Sequence, residues 1–289
     1  MHLASRFAGV PAVIGFIVAI AFSMCAARAE TPLERGTYLV RGIVACGNCH
    51  TPKGPDGVAL EDQELAGGTI FQAPAFEAVA ANITPDPETG IGKWTDQQII
   101  DAIRNGKRPD GSTIGPPMPI GFYRNMSDTD VRAIVAYLRS VKPISHRLAK
   151  SKFDMKLPDA YGPSVTHVAD VPPTNRIAYG QYVANIAHCM ECHTPIAQGR
   201  LDTSKLGAGG RELPVFPAGV IISPNLTPAN PTGIAHWSNA QVETAIIDGV
   251  RPDGRALVRT MAFDWYRHTR RQDLDALVAY LRTLKPATP

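Results

Sequence analysis

The chain has 289 residues, of which 44% are hydrophobic and 19% are charged, a balance that is ordinary for a globular protein and excludes wholesale disorder. Its 29 Lys and Arg residues against 26 Asp and Glu residues give a net charge of +3 without a basic run or stripe, which excludes a nucleic acid partner. The length suits one large domain or two small ones, and 25 prolines with 25 glycines predict many loops.

The first thirty residues have the features of an export signal. Arg6 supplies a short basic region, residues 7–24 are largely apolar, and Ala27-Arg28-Ala29 is a small-x-small pattern of the kind that signal peptidase cuts. The apolar stretch is short for a bilayer core of about 30 Å, which favours cleavage after Ala29 over an uncleaved membrane anchor. We therefore expect residues 1–29 to be a signal peptide. The mature chain is then expected in the periplasm, at or near the outer face of the inner membrane.

Cleavage would remove Cys25 and leave four cysteines in two copies of one motif. Cys46-Gly47-Asn48-Cys49-His50 and Cys189-Met190-Glu191-Cys192-His193 both read C-x-x-C-H, the attachment motif of c-type haem. The two thiols add to the haem vinyl groups, and the next residue, histidine, places its imidazole on the iron. The motif therefore predicts four cofactor-binding residues, Cys46, Cys49, Cys189 and Cys192, and two metal ligands, His50 and His193.

Three other kinds of cysteine site fit this pattern less well. A redox-active C-x-x-C pair needs no following histidine. Disulfides within the pairs would be strained and would not cross-link distant parts of the chain. A zinc site would use the four cysteines as two pairs, but these pairs are 143 residues apart and each carries a histidine. The repeated motif thus predicts two covalently bound haem c groups.

The chain is an internal duplication. Shifting the sequence by 143 residues aligns the two halves without gaps from the cysteine motifs to the last helix. Upstream of the motifs one residue is inserted or lost, because Gly36 is ten residues before its cysteine and Gly180 is nine. The matched pairs include Asn82-Ile83-Thr84-Pro85 with Asn225-Leu226-Thr227-Pro228, Trp94 with Trp237, Arg108-Pro109-Asp110-Gly111 with Arg251-Pro252-Asp253-Gly254, and Tyr123 with Tyr266.

The duplication also indicates the sixth iron ligand. Met118 and Met261 align with each other, each 72 residues after the first cysteine of its motif, whereas Met126 aligns with Thr269 and Met155 has no counterpart. A single methionine is usually core filler, but the same spacing in both halves favours iron ligation. Met118 lies in a stiff loop with three prolines that Met261 lacks. His268, nearby in the second segment, is the alternative ligand there.

The elements predicted around the motifs are helices. Thr95-x-x-Gln98, Ser238-x-x-Gln241 and Thr269-x-x-Gln272 are capping boxes, and Gly106 and Gly249 stand where the middle helices should end. The last helix of each half carries an apolar stripe that we expect to pack on the haem helix of its own half. These stripes are Val131, Ile134, Val135 and Leu138, then Leu274, Leu277, Val278 and Leu281.

No segment shows convincing strand alternation, so the sequence predicts an all-α fold of two tandem cytochrome c-like domains, each wrapped around one haem. We expect the signal peptide at 1–29, the first domain at 30–143 and the second at 175–289. Residues 144–174 form a polar linker that contains proline and lacks an apolar period, and we expect it to run over the surface.

The motifs resemble a known family, the c-type cytochrome subunits of bacterial periplasmic alcohol, gluconate and aldehyde dehydrogenases. The resemblance covers nearly the whole mature chain, although those subunits generally carry three haem domains and this chain has two. It implies that the axial pairs are His50 with Met118 and His193 with Met261. It also implies that Trp94 and Trp237 lie near the haem edge as propionate donors, with simple packing the equal alternative. The residues that carry it are Asn82 to Pro85, Thr89 to Trp94, Pro117-Met118-Pro119, Tyr123 and the segment from Met126 to Leu138.

His/Met ligation fills the iron coordination sphere and raises the reduction potential, which predicts an electron-transfer protein without catalytic residues. We expect a periplasmic dehydrogenase as donor, a terminal oxidase or another cytochrome as acceptor, and membrane contact only through partners. Two enzyme classes remain as alternatives: a dihaem peroxidase with an open second haem if Met261 does not ligate, and a dihaem thiosulfate-oxidising cytochrome. A third alternative is a docking subunit whose haems act as a wire inside a larger complex.

Overall fold

The two halves repeat the same order of helices. The computed structural model describes residues 28–215 and 219–289, so the predicted signal peptide lies almost entirely outside the described residues. Within these ranges no helix has the length and the apolar run that a membrane span requires. The first half contains α1 (Pro32–Arg41), α2 (Cys46–His50), α3 (Asp96–Asn105), α4 (Ile120–Tyr123) and α5 (Asp128–Ser140), and the second contains α6 (Arg176–Ile186), α7 (Cys189–His193), α8 (Asn239–Ile247), α9 (Phe263–Tyr266) and α10 (Arg271–Leu281).

Short antiparallel strands accompany the helices, so the protein is mainly helical and the all-α prediction was too narrow. In the first half β1 (Ile70–Ala73) pairs with β2 (Phe76–Val79), which also pairs with β3 (Lys152–Phe153). In the second half β4 (Ile196–Ala197) pairs with β5 (Arg200–Leu201), and β6 (Glu212–Val215) pairs with β7 (Gly219–Ile222). None of these strands exceeds four residues, which is too short for alternation to be recognised in a sequence.

Two of the three predicted capping boxes are confirmed. The Thr95 and Ser238 side chains each accept from the backbone of the glutamine three residues later, and that glutamine bonds back. The third prediction was wrong, because α10 begins after Arg270 without a side-chain cap and the buried Thr269 hydroxyl has no hydrogen-bond partner among the described residues. Both middle helices end at left-handed glycines, as predicted: Gly106 has a φ of 64° and Gly249 a φ of 66°.

The apolar stripes of the last helices are buried, and each packs against the first helix of its own half: α5 on α1, and α10 on α6. The partner is thus the helix that leads into the cysteine motif rather than the motif helix itself. The helices cross at glycine, because a Cβ on Gly36 would lie 1.9 Å from the Ala133 carbonyl oxygen and one on Gly180 would lie 2.0 Å from that of Ala276. A side chain at either position would push the helices apart.

Replacing Gly36 with alanine is therefore expected to destabilise the first half. Overpacking of this kind costs about 1–3 kcal/mol, measurable as a lower midpoint of chemical unfolding of the haem-loaded protein. Gly121→Ala is the matched control, since Gly121 lies in α4 and a Cβ added there would have no other atom within 4 Å. Alanine at this position should stabilise the protein by roughly 0.5–1 kcal/mol. Equal midpoints for the two variants would contradict the crossing geometry.

The linker, residues 144–174, lies against the first half through many hydrogen bonds. Beyond the β2–β3 pairing, the Tyr161 hydroxyl donates to the Ile114 carbonyl oxygen (2.8 Å), and the Val165 amide donates to the Asn105 side-chain oxygen (2.8 Å). The linker thereby covers the loop that leads to Met118, because a Cβ on Gly115 would lie 2.6 Å from the Phe153 ring.

The two halves meet through reciprocal polar contacts within one compact unit that spans residues 31–289. The Tyr38 hydroxyl donates to the Asp273 carboxylate, and the Tyr182 hydroxyl donates to Asp130 Oδ2 (2.6 Å). Tyr38 and Tyr182 are equivalent in the duplication, as are Asp130 and Asp273. Such an exchange of equivalent contacts is the pattern of a two-fold interface. The halves are thus arranged like the two subunits of a symmetric dimer.

Candidate haem sites

Each C-x-x-C-H motif forms a single helical turn that begins after a left-handed residue. Ala45 precedes α2 with a φ of 53°, and His188 precedes α7 with a φ of 45°. A positive φ is uncommon outside glycine and is often found at functional sites. Because residues three apart share a helix face, Cys46 and Cys49 lie side by side. All four cysteines of the motifs are free of disulfide bonds.

The two motif histidines are held in the same way. Nδ1 of His50 lies 2.8 Å from the Ala81 carbonyl oxygen, and Nδ1 of His193 lies 2.8 Å from that of Pro224. Donation from Nδ1 leaves Nε2 as the free lone pair, which is how histidines that bind metals are oriented. Burial lowers the pKa of both rings, while the hydrogen bond to the carbonyl raises it less. Both rings are therefore held in the neutral form that ligates iron.

A cavity of about 300 Å³ in the first half brings the four predicted site residues together. Cys46, Cys49, His50 and Met118 all line it. Most of the remaining wall is apolar, and Trp94, which also packs against the hydrophobic core, is part of it. Apolar lining residues include Ile83, Ile91, Ile99, Ile103, Ile134 and Leu138.

Three further lining residues were missed from the sequence. Met126 contributes a second methionine side chain and is fully buried; its alignment with Thr269 had set it aside. Arg108 lines the cavity from a repeated Arg-Pro-Asp-Gly segment, and that repetition was an available signal. His188 comes from the second half, and only its position directly before Cys189 could have drawn attention to it.

The backbone turn at Met118 is repeated at Met261 in the second half. The Ile120 amide donates to the Met118 carbonyl oxygen and the Phe263 amide donates to that of Met261, both at 2.9 Å. Met261 is partly buried and packs against the hydrophobic core, whereas His268, the alternative ligand, is exposed. The structure therefore gives both methionines the same local backbone and leaves His268 at the surface.

The residues fit haem c in three respects. Thiols, imidazole and thioether are the donor set of a c-type haem. Burial, followed by the charge of Cys49, raises the pKa of Cys46 to about 12, and burial raises that of Cys189 to about 12, so both thiols stay protonated. The buried Nε of Arg251 has no hydrogen-bond partner in the described part of the chain, although it lies 3.7 Å from Asp253 Oδ2. The guanidinium carbon of Arg251 is 5.5 Å from the ring centroid of Trp237. A haem propionate is an anion of the kind that such a guanidinium binds.

Cation sites of the zinc type are a poorer fit. Across residues 28–215 and 219–289, no group of three or more His, Cys, Asp or Glu side chains is arranged to hold a metal ion. In the sequence each motif histidine directly follows its own cysteine pair, as covalent haem attachment requires.

Comparison with known proteins agrees with this geometry. The sequence profile of the cytochrome c family matches residues 35–142 and again residues 177–285. The chain belongs to the cytochrome c family. The two matched regions, one in each half, indicate two covalently bound haem c groups, as the motifs predicted.

This cytochrome is 33% identical over 279 residues to the cytochrome c subunit of a quinone alcohol dehydrogenase from Gluconobacter oxydans, covering 90% of the chain and 56% of that protein. It is 30% identical over 272 residues to a fructose dehydrogenase cytochrome subunit from Gluconobacter japonicus, covering 87% and 52%. A dihaem c-type cytochrome from Cereibacter sphaeroides is 31% identical over 254 residues, covering 82% and 81%. The chain thus spans little more than half of the two dehydrogenase subunits and most of the dihaem protein.

Proposed function

We propose that this dihaem cytochrome accepts electrons from a periplasmic dehydrogenase and passes them towards the respiratory chain, through a terminal oxidase or another cytochrome. The observation that carries the proposal is the match over 90% of the chain to a protein named as the cytochrome c subunit of a quinone alcohol dehydrogenase. Similar matches to fructose and gluconate dehydrogenase subunits support it. Membrane contact is made through the partners.

The proposed haem attachments are Cys46 and Cys49 in the first half, with Cys189 and Cys192 in the second. His50 with Met118, and His193 with Met261, are the proposed axial pairs. The cavity that holds the first set together supports the assignment there, and the matching histidine and methionine contacts support it in the second half.

The bound haem irons supply the one-electron redox couple, and the protein residues set the conditions for it. The Ala81 and Pro224 carbonyls fix the orientation of the histidine rings and make them better ligands. The apolar wall of the first cavity would keep water from a haem bound there, a condition that raises the reduction potential. Arg251 and Trp237 are placed to hold a propionate.

The proposed organisation follows the sequence prediction. A signal peptide at residues 1–29 would export the chain to the periplasm, at or near the outer face of the inner membrane. The first domain would then span 30–143, the linker 144–174 and the second domain 175–289. The contacts of the linker with Ile114 and Asn105 support its assignment as a covering segment of the first domain.

Direct reduction by a dehydrogenase tests this function. The purified catalytic subunit of an alcohol, fructose or gluconate dehydrogenase from the same organism, given its substrate, is expected to reduce both haems of the oxidised cytochrome. A Cys189→Ala/Cys192→Ala variant should accept half as many electrons from the same enzyme, which controls for reduction outside the haems. Failure of all three enzymes to reduce the cytochrome, while each still reduces a dye, would contradict the proposal.

A further inference from the structure

One side chain of the second half reaches the haem cavity of the first. Among the residues that line this cavity, His188 alone comes from beyond the linker. His188 is partly buried and lines the cavity. Its ring meets that of Tyr123, another lining residue, edge to face with 6.0 Å between the ring centroids.

The same residue is bonded to the attachment site of the second haem. His188 directly precedes Cys189, so only main-chain and Cβ bonds separate its imidazole from the sulfur that carries the second haem. The equivalent residue of the first half is Ala45, which has no ring to extend. The side chain that connects the two haem sites is therefore contributed by the second half alone.

The interface holds this connection in place. The tyrosine–aspartate pairs lock the halves together, and a Cβ on Gly47 would lie 2.7 Å from Trp265 Nε1, so the first motif turn packs closely on the second half. α4 of the first half also contacts α6, the helix that leads into the second motif.

The left-handed backbone at His188 determines the direction of its ring. Histidine tolerates a positive φ better than most residues do, and a residue held there marks a position that the surrounding structure has to fix. Burial lowers the pKa of His188 to about 4, so the ring is neutral at physiological pH. A neutral aromatic ring in the gap between two redox sites is a better path for an electron than the same gap filled by solvent.

We propose that His188 is the bridging residue through which electrons pass between the two haem sites. The proposal rests on the electron-transfer function above and deepens it. One electron moves in the step: the iron held at one histidine is oxidised from Fe(II) to Fe(III), and the iron held at the other is reduced from Fe(III) to Fe(II). No bond forms or breaks, and no proton has to move with the electron.

Two substitutions distinguish the effect of the His188 ring from that of its left-handed backbone. His188→Asn removes the ring but keeps a residue that readily adopts the left-handed conformation. His188→Phe keeps an aromatic ring, although phenylalanine adopts the left-handed conformation less readily than histidine. Haem content, the Soret circular dichroism and the methionine–iron charge-transfer band, measured on the haem-loaded proteins, check that both variants keep their folds and ligands.

The rate of electron exchange is read from haem-methyl proton resonances of the half-reduced protein by NMR. We expect His188→Asn to slow exchange several-fold with unchanged midpoint potentials, and His188→Phe to restore most of the rate. A second readout is independent of rate: the His188 ring protons of the oxidised protein should show paramagnetic shifts that fall when the first haem alone is reduced.

Unchanged exchange in His188→Asn would overturn the proposal, as would slowing in His188→Phe without slowing in His188→Asn, since the backbone would then be the cause. Ring protons without paramagnetic shifts would overturn it as well. These outcomes are independent of the donor, because exchange between the haems is measured without a dehydrogenase. A cytochrome that no dehydrogenase reduces could still exchange electrons through His188.

Discussion

Added imidazole is expected to displace Met261 from the second iron at a concentration about tenfold below that needed to displace Met118 from the first. Each proline that pre-sets a loop contributes about 0.4–1 kcal/mol, and 1.4 kcal/mol is tenfold in affinity. Pro116, Pro117 and Pro119 surround Met118, whereas residues 259, 260 and 262 around Met261 include no proline. Raising the pH should likewise displace Met261 before Met118, because hydroxide and lysine then compete for the iron.

The linker adds to this difference. Gly115, at the start of the Met118 loop, is buried under Phe153 and Leu157. The corresponding Val258 is 46% exposed, and in the described part of the chain no segment equivalent to the linker covers it. The Met118 loop is therefore held both by its own prolines and by the chain above it. A less constrained loop loses its ligand more easily.

Three variants assign the two phases of an imidazole titration followed by the methionine–iron charge-transfer band. Met261→Ala should abolish the early phase and Met118→Ala the late one. Met126→Leu is the control for the first cavity, because Met126 also lines it and should leave both phases in place. Loss of the early phase in Met118→Ala would contradict the account, and loss of the late phase in Met126→Leu would identify the wrong sulfur as ligand.

Removal of haem is expected to leave a chain without a stable tertiary structure. A cavity costs about 24 cal/mol per Å³, so leaving about 300 Å³ unfilled in the first half costs about 7 kcal/mol. That penalty is comparable to the whole stability of a typical domain, about 5–15 kcal/mol. In such a protein the free energy of cofactor binding is largely the free energy of folding.

Apoprotein made without a haem-maturation system should therefore keep some far-ultraviolet helical signal while losing its near-ultraviolet signal and its cooperative thermal transition. The Cys46→Ala/Cys49→Ala variant, loaded with one haem, offers an internal comparison. Amide hydrogens of α6 and α10 should stay more protected from exchange than those of α1 and α5. A cooperative transition of the apoprotein near that of the holoprotein would contradict the expectation.

Most of the fold and of the candidate sites could be predicted from local sequence patterns and from the duplication. The cysteine motifs specify their chemistry within five residues, and Thr95 and Ser238 determine their helix starts through contacts only three residues away. Met261 could be singled out only because Met118 stands at the same spacing. The local cap pattern was wrong at Thr269: α10 begins after Arg270, the position equivalent to Ser127, which caps α5.

Contacts between distant residues could not be predicted. His188 reaches the first cavity only because the two halves pack together through contacts such as the tyrosine–aspartate pairs, and no local pattern encodes that arrangement. The β2–β3 pairing likewise joins Phe76 to Phe153 across more than seventy residues, through a strand of two residues that shows no alternation. The neutral form of His50 depends on its burial and on the Ala81 carbonyl, neither of which the motif specifies.

The measurement that tests the central claim most directly is the intact mass of the protein, made with a haem-maturation system and unfolded before analysis. Thioether bonds survive unfolding, so the wild-type chain should carry two haem masses. Cys46→Ala/Cys49→Ala should carry one, as should Cys189→Ala/Cys192→Ala, and the variant that lacks all four cysteines should carry none. A wild-type chain without covalent haem would contradict the assignment of one haem to each half. So would a wild-type chain with a single haem that is retained in both of the double-cysteine variants.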